Sequence, residues 1–238
     1  MTTLRHYRLC PHSRSIRMLL AELRVPVTLV DEKPWDWPAD LLALNPSGEL
    51  PVLETNDSDV ICGAYAISEW ASDDVAMETP VGEPQAKGRQ GSVVPGDVLA
   101  RAEVRRLIDW FHSKMHREVT SHLLDEKVFS RFREGHAGAP DVETLRAIRA
   151  NMAQHLRYIE HLTSARKWLA GETLSFADFA AAGQLSCVDY LGEVNWTGHE
   201  AAKLWYARLK SRPAFRDILA ERIPGTPPPP NHYADPDF

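Results

Sequence analysis

The segment Cys10-Pro11-His12-Ser13 holds the residues of this sequence best suited to chemistry. It follows a short apolar run, and from Ser13 onward apolar residues recur at helical spacing, so the thiol of Cys10 falls at the start of a predicted helix. The positive end of a helix dipole favours a thiolate, and Arg14 adds positive charge one turn on. Two interpretations stay open: Cys10 is a nucleophile for thiol transfer, or it is a small, partly buried residue. In either case Ser13 can offer a hydroxyl donor.

The other cysteines, Cys62 and Cys187, share no paired spacing with Cys10 that would build a disulfide framework or hold zinc. The sequence therefore predicts no metal site and a reducing compartment. Residues 1–6 contain no apolar signal core, and no run of about 18 apolar residues occurs. We expect a cytoplasmic protein without a membrane partner.

Alternating strand and helix patterns fill the first 80 residues, which have to position Cys10. Strand patterns occur at 4–9, 27–30, 50–53 and 60–62, and helix patterns occur at 13–23 and from 66 to 70. The order is strand, helix, strand, then two strands joined by a tight turn, then a helix. This order is typical of the thioredoxin fold.

Beyond residue 80 the composition changes twice. Residues 81–96 are rich in proline and glycine, which indicates a linker. From Asp97, a candidate N-cap, the apolar spacing is helical throughout residues 97–223, and a proline-rich tail occupies residues 224–238. The fold class is therefore α/β plus all-α, with a thioredoxin-like domain over residues 1–80 and an all-helical domain after the linker. A chain of 238 residues is long enough for two such domains.

The sequence Ser175-Phe176-Ala177-Asp178 predicts a capping box at a helix start. Ser175 can accept a hydrogen bond from the amide of Asp178, whose carboxylate can reach back to the amide of Ser175. A cap contributes about 1 kcal/mol to stability. Its role is therefore in folding and not in catalysis.

Taken together, the CPHS turn, the segment NPSGELPVL at residues 45–53 and the SFAD box resemble the glutathione transferase superfamily. The resemblance covers residues 4 to about 222. It implies that Pro51 is a cis-proline and that a ligand cleft lies between Cys10, the Leu50-Pro51 edge and a helix beginning near Ala64. It also implies that Cys10 takes the place of the family's catalytic serine or cysteine.

The groups that hold glutathione in that family are missing here. Members of the family bind the γ-glutamyl end of glutathione with an acidic residue and a serine, and these positions align with Gly63 and Ala64 here. At the glycyl end they often have Lys or Gln, where this chain has Glu49. The resemblance thus implies a degenerate glutathione site formed by Glu49, Leu50, Pro51, Gly63 and Ala64, with no cofactor. Cys10 and Ser13 would then be relic positions of a protein that is not an enzyme. The alternative is a glutathione-dependent transferase, thiol reductase or isomerase that uses Cys10 or Ser13.

The C-terminal tail indicates a narrower group of proteins within this superfamily. Residues 227–230 are four prolines that favour an extended polyproline segment, and it presents an aromatic and acidic end with Tyr233, Asp235, Asp237 and Phe238. With segments 102–107 and 185–192, this tail resembles glutathione transferase-like proteins of alphaproteobacteria that bind the division GTPase FtsZ. The resemblance implies a cytoplasmic homodimer at the division site that binds FtsZ filaments and regulates their curvature and constriction. The tail would contact another division protein, or else fold back on the helical domain or stay disordered.

Trp35 and Trp37 lie in the loop after the second predicted strand. Two tryptophans separated by one residue do not easily both face inward from an extended segment, so we expect one indole to pack inside and the other to be exposed. An exposed indole is suited to a protein interface. Both residues are therefore candidates for partner binding.

The charge distribution argues against nucleic acid as a partner. The formal net charge is -6, and between residues 25 and 80 the only basic side chain is Lys33, among many carboxylates. Such an acidic surface repels nucleic acids and small anionic ligands.

Overall fold

The computed structural model describes residues 1–77, 93–132 and 139–228. Its N-terminal part contains a four-stranded mixed sheet in the order β2-β1-β3-β4. The strands are β1 (Thr3–His6), β2 (Thr28–Asp31), β3 (Val52–Glu54) and β4 (Val60–Cys62). β1 pairs in parallel with β2 and antiparallel with β3, and β3 and β4 form a hairpin. The predicted thioredoxin-like arrangement is confirmed.

Three helices belong to this part of the chain: α1 (Pro11–Leu23), α2 (Ala39–Leu44) and α3 (Ala64–Met77). The sequence predicts α1 and α3, although each begins two residues earlier than expected. It does not predict α2, a helix of 6 residues in which only Leu41 is buried, because so short a helix leaves no periodic apolar face. The first strand ends at His6, and residues 7–10 turn the chain into α1, which places Cys10 directly before the helix.

The remaining described chain is helical. Its helices are α4 (Val98–Asp109), a π-helix (Trp110–Thr120), α5 (Ser121–Lys127), α6 (Val142–Ala165), α7 (Phe176–Tyr190), α8 (Glu200–Lys210) and α9 (Arg216–Ala220), with short 3-10 turns at Phe129–Phe132 and Pro213–Phe215. Asp97 caps α4 as predicted, with its carboxylate 2.9 Å from the Ala100 amide nitrogen. The predicted inner face is buried and consists of Val104, Leu107, Ile108, Phe111 and Met115.

The two parts of the chain meet where α1 packs against α7. A Cβ atom added at Gly183 would lie 2.4 Å from the Pro11 carbonyl oxygen and 3.0 Å from the Ser15 nitrogen, so this contact requires glycine. The first turn of α1, which follows Cys10, is thereby held against the helical domain. The domain bounds themselves stay a prediction, since residues 78–92 lie outside the described residues.

Among the described residues, none of the helices is both long and apolar enough to span a membrane.

Candidate functional site

A cavity of about 860 Å³ opens between the thioredoxin-like sheet and the helical domain. It is bordered by the start of α1, the loop before β3, the start of α3 and the π-helix. Five residues of the predicted degenerate glutathione site and its relic positions line it, namely Cys10, Glu49, Leu50, Gly63 and Ala64. Two others, Ser13 and Pro51, are buried and are not among the lining residues. The peptide bond between Leu50 and Pro51 is cis, as the resemblance implies.

Cys10 is the N-cap residue of α1. Its sulfur accepts a hydrogen bond from the Ser13 amide at 3.4 Å, and in the thiol form it can donate to the Leu50 carbonyl oxygen at 3.6 Å. Burial raises the pKa of the Cys10 thiol, but interaction with His12 and with Ser13 outweighs burial, so the pKa is lowered. Pro11 occupies the first helical position, where the missing amide hydrogen leaves no unsatisfied donor. The side chain of Ser13 is fully buried, and among the described residues its hydroxyl has no hydrogen-bond partner.

His12 is the charged partner of Cys10. Burial lowers the pKa of His12, but the neighbouring sulfur of Cys10 raises it, with help from a 2.9 Å contact between Nε2 and the His112 carbonyl oxygen and from Glu49, so the net direction is upward. A raised histidine pKa beside a lowered thiol pKa describes an imidazolium and a thiolate that stabilise each other. The positive charge next to the sulfur thus comes from His12.

Arg14 does not supply that charge, which corrects the sequence prediction. Its side chain is fully buried, and Nε donates to the Arg8 carbonyl oxygen at 2.6 Å while Nη1 donates to the Ser186 hydroxyl at 3.1 Å. Nη2 lies 3.3 Å from a carboxylate oxygen of Glu221. The guanidinium therefore faces the interface with the C-terminal helices, where it has a structural role.

Two further histidines from the π-helix surround His12. The ring centroids of His112 and His116 lie 4.7 Å and 4.6 Å from that of His12, and both rings meet it edge to face. Burial lowers the pKa of His112 well below its usual value and lowers that of His116 to about 4, so both are neutral when His12 is charged. Neither His112 nor His116 is among the site residues predicted from the sequence. The available signal was the spacing of His112 and His116, which places them on one helix face.

The charge of the cavity wall opposes an anionic ligand. Among the residues that line the cavity in the described part of the chain, Glu49 carries a carboxylate and no lysine or arginine occurs. Gly63 and Ala64 have no side-chain hydrogen-bonding group, and the Gly63 amide already donates to the Pro51 carbonyl oxygen at 3.0 Å. The structure thus brings Glu49, Leu50, Gly63 and Ala64 together at one cavity, and the loss of glutathione binding there stays a prediction.

Trp35 and Trp37 face different environments, as the sequence predicts. Trp35 is partly buried, with its ring stacked 4.0 Å from that of Phe132 and edge-on to Tyr7 at 5.5 Å. Trp37 is 56% exposed at the mouth of the cavity, and its ring covers Gly48, where a Cβ atom would lie 2.5 Å from it. Their role in partner binding stays a prediction.

The other thiols differ from Cys10. Cys187 is buried in α7, its thiol donates to the Leu9 carbonyl oxygen at 3.2 Å, and burial raises its pKa to about 12. Cys62 is exposed at the edge of the cavity, where partial burial raises its pKa. Among the described residues no group of three or more potential ligands is arranged to hold a metal ion.

The tail residues predicted to contact a partner, Tyr233, Asp235, Asp237 and Phe238, lie outside the described residues.

Comparison with known proteins identifies relatives over the whole chain. Residues 9–74 match the glutathione S-transferase N-terminal domain, and residues 120–213 match the glutathione S-transferase C-terminal domain. FtsZ-localized protein A of Caulobacter vibrioides is 45% identical over 99% of this chain and 98% of that protein. The glutathione S-transferase GstB of Escherichia coli is 24% identical over 76% of this chain and 78% of that protein.

Solved structures agree with this relationship. A glutathione S-transferase from Sinorhizobium meliloti superimposes with a TM-score of 0.90 at 40% identity, covering all of both chains. FzlA from C. crescentus superimposes with a TM-score of 0.88 at 42% identity, covering 100% of this chain and 99% of that one.

Proposed function

The chain belongs to the glutathione S-transferase family, and on this premise we propose that it is a non-enzymatic member that binds FtsZ filaments and regulates their curvature and constriction during cell division. The observation that carries the proposal is the 45% identity to FtsZ-localized protein A over 99% of the chain. GstB of Escherichia coli, whose name is catalytic, is more distant, at 24% identity over 76% of the chain, whereas the Sinorhizobium meliloti structure that is also named a glutathione S-transferase is 40% identical. The choice between a binding role and glutathione chemistry therefore depends on the cavity as well as on the relatives.

The cavity supports the same proposal. Losing one charge-assisted hydrogen bond to a ligand costs about 1.5–3 kcal/mol, and the cavity lacks such bonds at both ends of glutathione. Glu49 adds repulsion at the end where the family often presents Lys or Gln. Two such losses weaken a micromolar ligand by about a hundredfold or more, at about 1.4 kcal/mol for each factor of ten.

The proposal extends to assembly and location. We infer a homodimer, because a symmetric pair presents two filament sites and gains avidity without stronger individual contacts. The location proposed is the cytoplasm at the division site, where FtsZ filaments form. A contact between the tail residues and another division protein belongs to the proposal as well.

Trp37 provides the direct test of FtsZ binding. Because its indole is more than half exposed at the cavity mouth, Trp37→Ala is expected to weaken co-sedimentation with FtsZ filaments by about tenfold or more, as for an aromatic residue at the centre of an interface. Thermal stability is expected to change by about 1 kcal/mol or less. Leu204→Ala is the matched control, since Leu204 is an apolar side chain with 61% exposure on α8.

Equal co-sedimentation of the Trp37→Ala and Leu204→Ala variants with FtsZ would exclude Trp37 from the interface. If the unaltered protein fails to co-sediment with FtsZ filaments at any accessible concentration, the proposed function itself is wrong.

Glutathione binding is expected to be absent. Calorimetry with the unaltered protein should show no saturable heat at millimolar glutathione, because no lysine or arginine lines the described part of the cavity and Gly63 and Ala64 supply no side-chain donor. The double variant Glu49→Gln with Ala64→Ser restores one group at each end of the ligand and leaves Gly63, whose φ is +88°, unchanged. This variant is expected to bind glutathione at least about tenfold more tightly. Micromolar affinity of the unaltered protein would contradict the account of the cavity.

A further inference from the structure

The pair formed by Cys10 and His12 is intact in a cavity that has lost the groups for glutathione. We propose that Cys10 is a site of reversible thiol modification whose reagents are small disulfides with a net positive charge, and that Glu49 selects them. This inference concerns the cavity and goes beyond the proposed binding to FtsZ.

The position of the sulfur supports a reactive thiolate. The Ser13 amide donates to it at 3.4 Å, and the N-terminal end of α1 points at it, so negative charge on sulfur is stabilised by the backbone. The same sulfur borders a cavity that is open to small molecules. Cys187 has neither property, because it is buried and its thiol donates to the Leu9 carbonyl oxygen.

The positively charged ring of His12 also stabilises the thiolate of Cys10. The positive charge lies beside the sulfur, since the pKa of Cys10 is lowered and that of His12 is raised. Titratable groups that face this pair in the described part of the chain are His112 and His116 from the π-helix, which remain neutral, and Glu49 from the loop before β3. Tyr7 and Cys187 also lie near Cys10, and their raised pKa values keep both uncharged. The thiolate of Cys10 is thus favoured relative to that of an ordinary cysteine.

The cavity wall determines the class of reagent. Glu49 is a free-standing carboxylate on the rim, and the lining contains no lysine or arginine in the described part of the chain. Aromatic rings of Tyr7, Trp37 and Phe129 line the same space, and aromatic faces attract cations. Because the charges of the Cys10 thiolate and the His12 imidazolium offset each other, the Glu49 carboxylate gives the lining a net negative charge. A cationic disulfide is therefore attracted, whereas glutathione disulfide, which has more carboxylates than ammonium groups, is repelled.

The chemical step is a thiol–disulfide exchange. The Cys10 thiolate attacks one sulfur of the reagent, a new bond forms between Cys10 and that sulfur, and the original disulfide bond breaks. The departing thiolate keeps the electron pair and takes the proton of the His12 imidazolium. Cys10 is oxidised to the mixed disulfide and half of the reagent is reduced to a free thiol, so no other oxidant is needed. A second thiol in solution reverses the step.

The test uses cystamine, a disulfide with two ammonium groups, against glutathione disulfide as the anionic reagent. The full-length protein is treated with each at pH 6.5, and modification is located by peptide mass spectrometry, with each rate divided by that for the same protein unfolded in denaturant. Cystamine is expected to modify Cys10 at least about tenfold faster than glutathione disulfide does. Cys10 is expected to react faster than Cys62, with Cys187 unmodified in the folded protein.

Three variants test separately what the thiol, the neighbouring imidazole and the rim carboxylate contribute to the modification. Cys10→Ser is expected to abolish the fast modification, and His12→Asn is expected to move the pH dependence of Cys10 modification to higher pH. Glu49→Gln is expected to remove most of the preference for cystamine while Cys10 still reacts faster than Cys62. Melting curves confirm that each variant is folded.

The proposal is overturned if Cys10 in the folded protein reacts no faster than Cys62. It is also overturned if the two disulfides react at equal normalised rates, or if Glu49→Gln leaves their ratio unchanged. The rates of Cys10 modification are measured on the protein alone. If the protein fails to co-sediment with FtsZ filaments, these rates are therefore unaffected.

Discussion

Replacing Asp178 with alanine is expected to lower the free energy of unfolding by about 3–5 kcal/mol, far more than the loss of an ordinary helix cap. The carboxylate is fully buried and accepts from the amides of Ser175 at 3.0 Å and Leu169 at 2.9 Å. It also accepts from the indole Nε1 of Trp205 at 2.9 Å. The Ser175 hydroxyl donates to it as well, at 3.1 Å, so alanine at this position removes the acceptor of four buried donors, each of which costs about 1–3 kcal/mol when it finds no other partner.

The matched control is Asp97→Ala. Asp97 caps α4 through the Ala100 amide on an exposed helix end, so its loss is expected to cost about 1 kcal/mol. Both variants are compared by urea denaturation of the same preparation. Equal losses would show that the contacts of Asp178 with Leu169 and Trp205 contribute nothing beyond the cap.

The capping box shows what local sequence predicts and what it does not. Ser175 and Asp178 are three residues apart, so their reciprocal contact is a local rule, and the structure confirms it. Trp205 is 27 residues beyond Asp178, and its indole reaches the carboxylate from α8. The sequence thus gives the position of the helix start, while the larger energetic role depends on tertiary contacts.

The π-helix is a second element that the local sequence predicts only in part. Phe111 and Met115 lie on the apolar face predicted for a helix that begins after Asp97, and both are buried. The same spacing fits either an α-helix or a π-helix over so few turns, so periodicity predicts burial and not the change of helix type after Asp109. The π-helix is the segment that places His112 and His116 at the cavity.

The candidate site was only partly predictable, because some of its contacts join residues that are far apart in the sequence. The missing side chains at Gly63 and Ala64 are visible in the sequence once the resemblance aligns them. The contact of His12 with His112 joins residues 100 positions apart, and the sequence alone does not place them together. Arg14 was assigned to Cys10 because one helical turn separates them, but its side chain is long enough to reach other partners on the far side of α1.

The second large effect is expected for Arg14→Ala, which should lower the free energy of unfolding by about 3–5 kcal/mol. The buried guanidinium satisfies the Arg8 carbonyl oxygen, the Ser186 hydroxyl and the Glu221 carboxylate, and its carbon atom lies 5.6 Å from the centre of the Tyr190 ring. Removing one member of a buried charge network is costly because the remaining groups stay desolvated.

Arg105→Ala is the control for Arg14→Ala, since the Arg105 side chain is 42% exposed in its pair with Glu69 and is expected to contribute about 1 kcal/mol or less. Urea denaturation gives the difference in stability between the two variants. The rate of Cys10 modification by cystamine in the folded Arg14→Ala protein is expected to stay near that of the unaltered protein, because the charge beside the sulfur belongs to His12. If Arg14→Ala slows this modification as much as His12→Asn does, Arg14 does support the thiolate and the assignment made from the sequence was right.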